Sequence, residues 1–231
     1  MPEVTKPFAI DYHVHVDERM QFQYLPSVLK IRKLDGVGIV THNNLTQAQK
    51  VVKFLKENDK EKLYFAGVEI DTADGHLLAY GIDQEIKENL SSEETVEIIR
   101  DLGGTSVIPH PFMSHNSIGY KSYILKADGM EFYNGFAKIF LNFPNKMVEV
   151  AFKNNGFAQI GGSDAHYHNA VGTCYSLVDI QGKPTEKKIL EAIKKQKTQP
   201  KSRPIDYADI VNFFKIVFTP KEGRKPVRIF D

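Results

Sequence analysis

Thiols are nearly absent from this sequence: one cysteine, Cys174, in 231 residues. That excludes an internal disulfide framework and any zinc site built from several thiolates. Neither sign of charge dominates, with 30 Lys and Arg against 29 Asp and Glu. A net charge of +1 gives no strong sign of duplex nucleic-acid binding and argues against a polybasic membrane binder. No run approaches the roughly 18 apolar residues of a membrane span. The opening MPEVTKPFAI lacks the charged-then-apolar pattern of a secretory signal, so a cytoplasmic location and no membrane partner are expected. Internal repeats, low-complexity tracts and Gly/Ser linkers are missing. So are P-loop, GxGxxG and GxSxG patterns, which leaves triphosphate cradles and serine-nucleophile chemistry without support.

What is present is a recurring short apolar run, then a turn, then a helical pattern. The apolar runs fall at residues 8–16, 37–41, 63–70 and 76–82, then at TSVIPH, GMEFYN, FAQIGG and TCYSLVDI. Between them LTQAQKVVKFLKEN places Val51, Val52, Phe54 and Leu55 on one helical face. Ser91 and Glu94 have capping-box spacing, Gly103-Gly104 closes that helix, and further helices are expected near residues 145–155 and after Pro184. Strands alternating with helices predict βαβ units and a mostly parallel sheet, open or closed into a barrel. The texture changes at Lys201: residues 205–218 are apolar at helical spacing and a polar tail follows. One barrel over residues 1–200, with a C-terminal helix and tail (201–231) packed on the same domain, is therefore expected.

The eight histidines carry the chemistry. In a strand, residues two apart share a face, so His13 and His15 of DYHVH can both reach one metal ion. His42 ends VGIVT, Glu69 ends LYFAGVE, His110 ends TSVIP, and Asp164 and His166 follow FAQIGGS. In a parallel α/β barrel such strand ends converge on one rim, where active sites are built. Imidazole and carboxylate without thiolate suit zinc, iron or manganese. The set exceeds what one ion can hold, so a cluster of two or three divalent ions follows, with Glu69 as a bridge. Such clusters clamp both oxygens of an in-line displacement and supply hydroxide at neutral pH, which suits phosphate-ester hydrolysis.

HVH, IVTHNN, GVEI, HLLAYGI, IPHP and GGSDAH stand in the order and approximate spacing of the PHP (polymerase and histidinol phosphatase) domain, which residues 8 to about 180 resemble. MEFYN followed by GGSDAH looks like the small stand-alone phosphoesterases of that family. The resemblance implies a distorted (β/α)7 barrel with a trinuclear site at the strand C-termini. It implies that His13, His15, Glu69 and Asp164 surround the first metal, and that Glu69 bridges to a second held by His76 and His110. His42 and His166 match ligands of a third. Hydrolysis of a phosphate mono- or diester of a small molecule or short nucleotide, through a metal-activated hydroxide, is the implied activity. Asp164 and His166 are the catalytic candidates, with His166 as proton donor to the leaving group.

Two positions depart from the family pattern. Thr41 stands where an Asp commonly precedes the motif His, and Met20 stands at the expected Asp after HxH, with Asp17 or Glu18 as possible substitutes. His115 and His168 match no ligand position. Lys121, Arg19 and Lys138 are candidates to receive phosphate oxygens, and Cys174 is expected to be a buried small hydrophobe. Two other readings are weaker. An amidohydrolase would need a carboxylated lysine where Glu69 stands. A non-catalytic RNA-binding subunit resembling a ribonuclease P protein component should be basic and short of ligands.

Overall fold

In a computed structural model, residues 7–16, 20–113 and 116–204 are described. The strands are β1 (Phe8–His15), β2 (Gly36–Val40), β3 (Leu63–Thr72), β4 (Gly75–Tyr80), β5 (Thr105–Ile108), β6 (Gly129–Asn134), β7 (Ala158–Gly162), β8 (Cys174–Val178) and β9 (Thr198–Ser202). The helices are α1 (Leu25–Ile31), α2 (Leu45–Asn58), α3 (Ser92–Asp101), α4 (Phe143–Phe152) and α5 (Glu186–Lys194). Helix α2 starts where Asn44 accepts a hydrogen bond from the Gln47 amide at 2.9 Å, and it buries Val51, Val52 and Leu55 against β2 and β3. Ser91 caps α3 through the Glu94 amide at 3.2 Å.

The nine strands among the described residues form one mixed sheet in the order β7-β6-β5-β4-β3-β2-β1-β8-β9. It is nearly closed into a barrel. Beyond the end of β7, Ala165 pairs with β1: the His15 amide donates to the Ala165 carbonyl at 2.9 Å and the Ala165 amide to His13 at 3.3 Å. Inside, Tyr12, Phe65 and Tyr80 meet edge to face at centroid distances of 5.8, 6.4 and 5.7 Å. Ile189 and Ile193 of α5 pack onto that cluster and plug the end where the parallel strands begin. Truncating Phe65 to Ala would leave a cavity there at a cost of about 3–5 kcal/mol.

The sheet departs from a (β/α)7 repeat in two places. β4 is antiparallel to both β3 and β5, because only Ala73-Asp74 separates Thr72 from Gly75, too short for a crossover helix. Gly75 sits at φ +139°, which a side chain would resist. β8 is antiparallel to β1, and β9 pairs antiparallel with β8. The texture change at Lys201 falls inside β9, while the expected helix at 205–218 lies outside the described residues. No helix among the described residues is long and apolar enough to cross a membrane.

Candidate metal centre

The antiparallel turn of β4 has a consequence for chemistry. A strand running backwards brings its first residues, not its last, to the rim where the parallel strands end. His76 pairs with Asp71 in the β3–β4 register, and so reaches the same end of the sheet as Glu69. The candidate ligands thus come from the ends of β1, β2, β5 and β7, from within β3, and from the start of β4.

At the centre lies Glu69, 1% exposed. Its Oε2 is 3.1 Å from His15 Nε2, 3.5 Å from His42 Nε2 and 3.6 Å from His13 Nε2. Its Oε1 is 3.0 Å from both His76 Nδ1 and His110 Nε2. Five imidazoles therefore divide between the two oxygens of one carboxylate. Asp164 Oδ1 adds contacts of 3.3 Å to His15, 3.6 Å to His13 and 3.5 Å to His166. His166 stacks on His15 with centroids 4.2 Å apart, and it belongs to no group of three converging donors among the described residues. Those groups are His13–His15–Asp164, His15–His42–Glu69, Glu69–His76–His110 and His42–Asp71–His76.

The donor set fits divalent ions of the zinc, iron and manganese kind. Imidazole nitrogens and carboxylate oxygens converge, and two buried polar atoms here, Asp71 Oδ1 and His110 Nδ1, have no hydrogen-bond partner among the described residues. Backbone strain accompanies them. His110 and Asp164 lie at φ +30° and +53°, a region that non-glycine residues enter rarely and mostly where surrounding structure imposes it.

Burial disfavours charge at every one of these groups, and mutual attraction opposes it. For His13 the carboxylates of Asp164, Glu131 and Glu69 outweigh burial and hold its pKa well above 6.5. His110 is likewise raised, chiefly by its hydrogen bond to Glu69 against burial. Glu69 and Asp164 are held well below the ordinary carboxylate range despite burial, with His13 the largest opposing influence on each. His42 goes the other way: burial, with His15 and His76 nearby, lowers it despite Glu69.

Three supporting residues escaped the sequence reading. Glu131, fully buried in β6, is 3.0 Å from His13 Nδ1, accepts from the His110 amide at 3.0 Å and from Asn134 Nδ2 at 2.9 Å. A proton on His13 Nδ1, held by that carboxylate, leaves Nε2 to face the centre. Gly162 faces Glu131 and the His13 Cβ so closely that a methyl group there would collide with both. Asp11 accepts from the amides of Ser163 (2.9 Å), Gly172 (2.8 Å) and His13 (3.2 Å), which fixes the start of the Asp164 loop. Burial pushes its pKa up to about 6. The third is Asp71, treated below. The sequence carried no mark for Glu131, which is the third residue of β6 rather than one at its C-terminal end.

The two departures have structural reasons. Thr41 is buried and donates to the Asn44 carbonyl at 2.5 Å, at the entry to α2. Met20 is fully buried in the apolar core with Leu25 and Leu29. Asp17, Glu18, Arg19 and His115 lie outside the described residues. Lys121 is paired with Asp74 and Glu93, at 2.8 Å each, and buried Lys138 donates to the Arg203 carbonyl at 2.5 Å. His168 Nε2 is 2.9 Å from the Gln21 carbonyl, away from the centre. Cys174 is buried and its thiol is pushed up to about 12 by burial, so it is no nucleophile.

A mixed, nearly closed α/β barrel carrying a rim of imidazoles and carboxylates is an arrangement that could hold divalent metal ions. Residues 142–198, which run from α4 through the Asp164–His166 loop to α5, match the family model described as PHP-associated. Across that stretch, about a quarter of the chain, the sequence is similar to the PHP-associated family. Two uncharacterized proteins of Methanocaldococcus jannaschii, MJ1587 and MJ0417, are each 31% identical to it, over 114 and 129 residues. These matches cover 48% and 51% of this chain, and 66% and 53% of the relatives' own lengths. Among solved structures, PsfC from Pseudomonas syringae shares the fold, with a TM-score of 0.71 at 15% identity over 93% of this chain and 100% of that one.

Proposed function

We propose that the protein is a metal-dependent phosphoesterase that hydrolyses a phosphate mono- or diester of a small molecule or short nucleotide. The observation that supports this most directly is the division of five imidazoles between the two oxygens of Glu69, the arrangement of a carboxylate that bridges two ions. His13, His15, Glu69 and Asp164 are assigned to one ion, and Glu69 and His110, with His76 beside them, to a second. His42 and His166 complete the set. When bound, two or three divalent ions (zinc, manganese or iron) would lower the pKa of bound water and offset charge on the phosphoryl oxygens.

The chain's own residues do the rest. Glu131 fixes the ring of His13, and Asp11 fixes the loop that carries Asp164. Buried Glu69 and Asp164 stay ionised at neutral pH, so their charge is available to cations without prior loss of a proton. His166, 25% exposed and 3.5 Å from Asp164 Oδ1, is assigned as the group that holds a proton against that carboxylate and passes it to the departing oxygen.

Elemental analysis of protein purified without chelator tests the reading, followed by turnover of monoester and diester panels under the metal found. Two or three equivalents per chain, with turnover that chelation removes and metal restores, are expected. No metal, even after addition, overturns it.

A further inference from the structure

Asp71 has no place in the set of ligands that the family resemblance implies, yet it is built as one. Its Oδ2 accepts from Asn43 Nδ2 at 2.8 Å, and its amide donates to Asn43 Oδ1 at 2.8 Å. Asn43 is held in the left-handed region at φ +49° and also donates to Glu88 at 2.9 Å. The carboxylate is thus clamped on one side, and its other oxygen, Oδ1, is aimed at two rings: 3.0 Å from His76 Nε2 and 3.5 Å from His42 Nδ1.

The direction of these contacts carries the argument. A separation of 3.0 Å suits a hydrogen bond, yet the buried Asp71 Oδ1 makes none among the described residues. Donor atoms that share an ion behave this way: they sit about 3 Å apart as the edges of one coordination polyhedron at metal–ligand distances near 2.0–2.2 Å, with lone pairs aimed at a common centre rather than at each other. The opposite nitrogens agree. His76 Nδ1 meets Glu69 Oε1 in hydrogen-bonding geometry at 3.0 Å, and His42 Nε2 also faces Glu69. In the tautomer with its proton on the Glu69 side, each ring presents a lone pair to Asp71, and the bridging role of Glu69 then rests on His13, His15 and His110.

We propose that His42 Nδ1, Asp71 Oδ1 and His76 Nε2 form an outer site for a divalent cation of the manganese, iron or zinc class, separate from the inner ions at Glu69 and Asp164. Two imidazoles and one carboxylate leave coordination positions open. His42 and Asp71 are 46% and 42% exposed, so water or a substrate oxygen fills those positions and the ion exchanges readily. The resemblance seats a third ion between His42 and His166 and gives His76 to the second. Here Met20 is core and His166 leans on Asp164, and the outer ion sits on the Asp71 side instead.

Equilibrium dialysis against Mn2+ alone, with metal and protein counted on the same sample, tests this independently of any turnover. The protein should bind a weaker, separable equivalent besides its tightly held ions. Asp71→Asn should lose that equivalent and keep the tight ones. Asn43→Ala, which removes the clamp and no donor, should weaken only that equivalent, by about 10–100-fold. This second variant gives the answer if Asp71→Asn does not fold. An unchanged count and affinity in Asp71→Asn would overturn the proposal, and so would loss of every ion, which would make Asp71 a prop for the inner site.

Discussion

The two halves of the candidate metal centre are built differently. Around His13, His15 and Asp164 everything is buried, Glu131 braces His13, Asp11 braces the start of the Asp164 loop, and His13, Glu69 and Asp164 attract one another strongly. Around His42, Asp71 and His76 the walls are half open and a single asparagine does the bracing. Burial makes the inner half rigid and its charges interdependent, because in low dielectric a lone ion is costly and a paired one is held tightly. The outer half trades that for access. A tightly held pair of ions beside an exchangeable one is what this difference predicts, and each expectation below tries to break it.

The largest effect belongs to His13. His13→Ala removes an inner donor and strands Glu131 and Glu69 as buried carboxylates. Loss of at least one tight ion and a fall in phosphatase turnover beyond about 100-fold are expected, since even the partners of ligands are worth 10–100-fold. Full occupancy with unchanged turnover would mean that the inner pocket is not the site. Next comes Glu131→Gln, which keeps shape but weakens the hold on His13 Nδ1. Inner-ion affinity should drop by about 10–100-fold while the outer ion is untouched. Equal losses in both halves, measured by dialysis, would erase the distinction between them.

Much of this centre was legible before any coordinates. His13 and His15 follow from strand periodicity, and His42, His110 and Asp164 from their place after apolar runs, because a strand end fixes where a side chain must point. His76 was not derivable in that way. Its position at the rim depends on β4 running backwards, and the short Ala73-Asp74 turn was not recognised as the cause. Glu131 and Asp71 were missed because a carboxylate in a strand has no sequence mark distinguishing a prop from a surface charge. β9 was missed because TQPKS has neither apolar alternation nor strong β propensity, and pairing with β8 overrode that. The α3 cap at Ser91, by contrast, is local chemistry and sits where the sequence put it.

Proton linkage separates the halves again, at smaller amplitude. In the metal-free protein His13 and His110 have folded pKa values above the ordinary 6.5. Their contribution to stability is full below that value and is lost as pH rises through the folded value. Glu69 and Asp164 are shifted down, so theirs is present above the ordinary carboxylate range and lost as pH falls through the folded values. Metal-free protein should therefore lose thermal stability as pH climbs above neutral. Inner-ion loading must displace the His13 and His110 protons, so its affinity should rise with pH between 6 and 8. At the outer site the lowered His42 is already neutral near pH 7, so the dependence there should be shallower. Calorimetry in two buffers of different ionisation enthalpy reads both, and equal proton release per ion would contradict the contrast.

The smallest effect is expected outside both halves, at Lys121. The sequence offered it as a receiver of phosphate oxygens, but its ammonium is held between Asp74 and Glu93. Hydrogen bonds from that ammonium lower the pKa of both carboxyls and raise its own. Such partly exposed pairs contribute little, because solvent screens them and two long side chains must be immobilised. Lys121→Met should move Tm by no more than about 2–4 °C at neutral pH. The difference from the parent should shrink further as acid protonates Asp74, whose stabilising share exists only above its depressed pKa. KM for a phosphate ester should stay within about twofold. A tenfold rise in KM with kcat unchanged would instead make Lys121 a substrate contact, since loss of binding common to ground and transition states has that signature. The recognition surface would then extend past the outer ion to the β3–β4 turn.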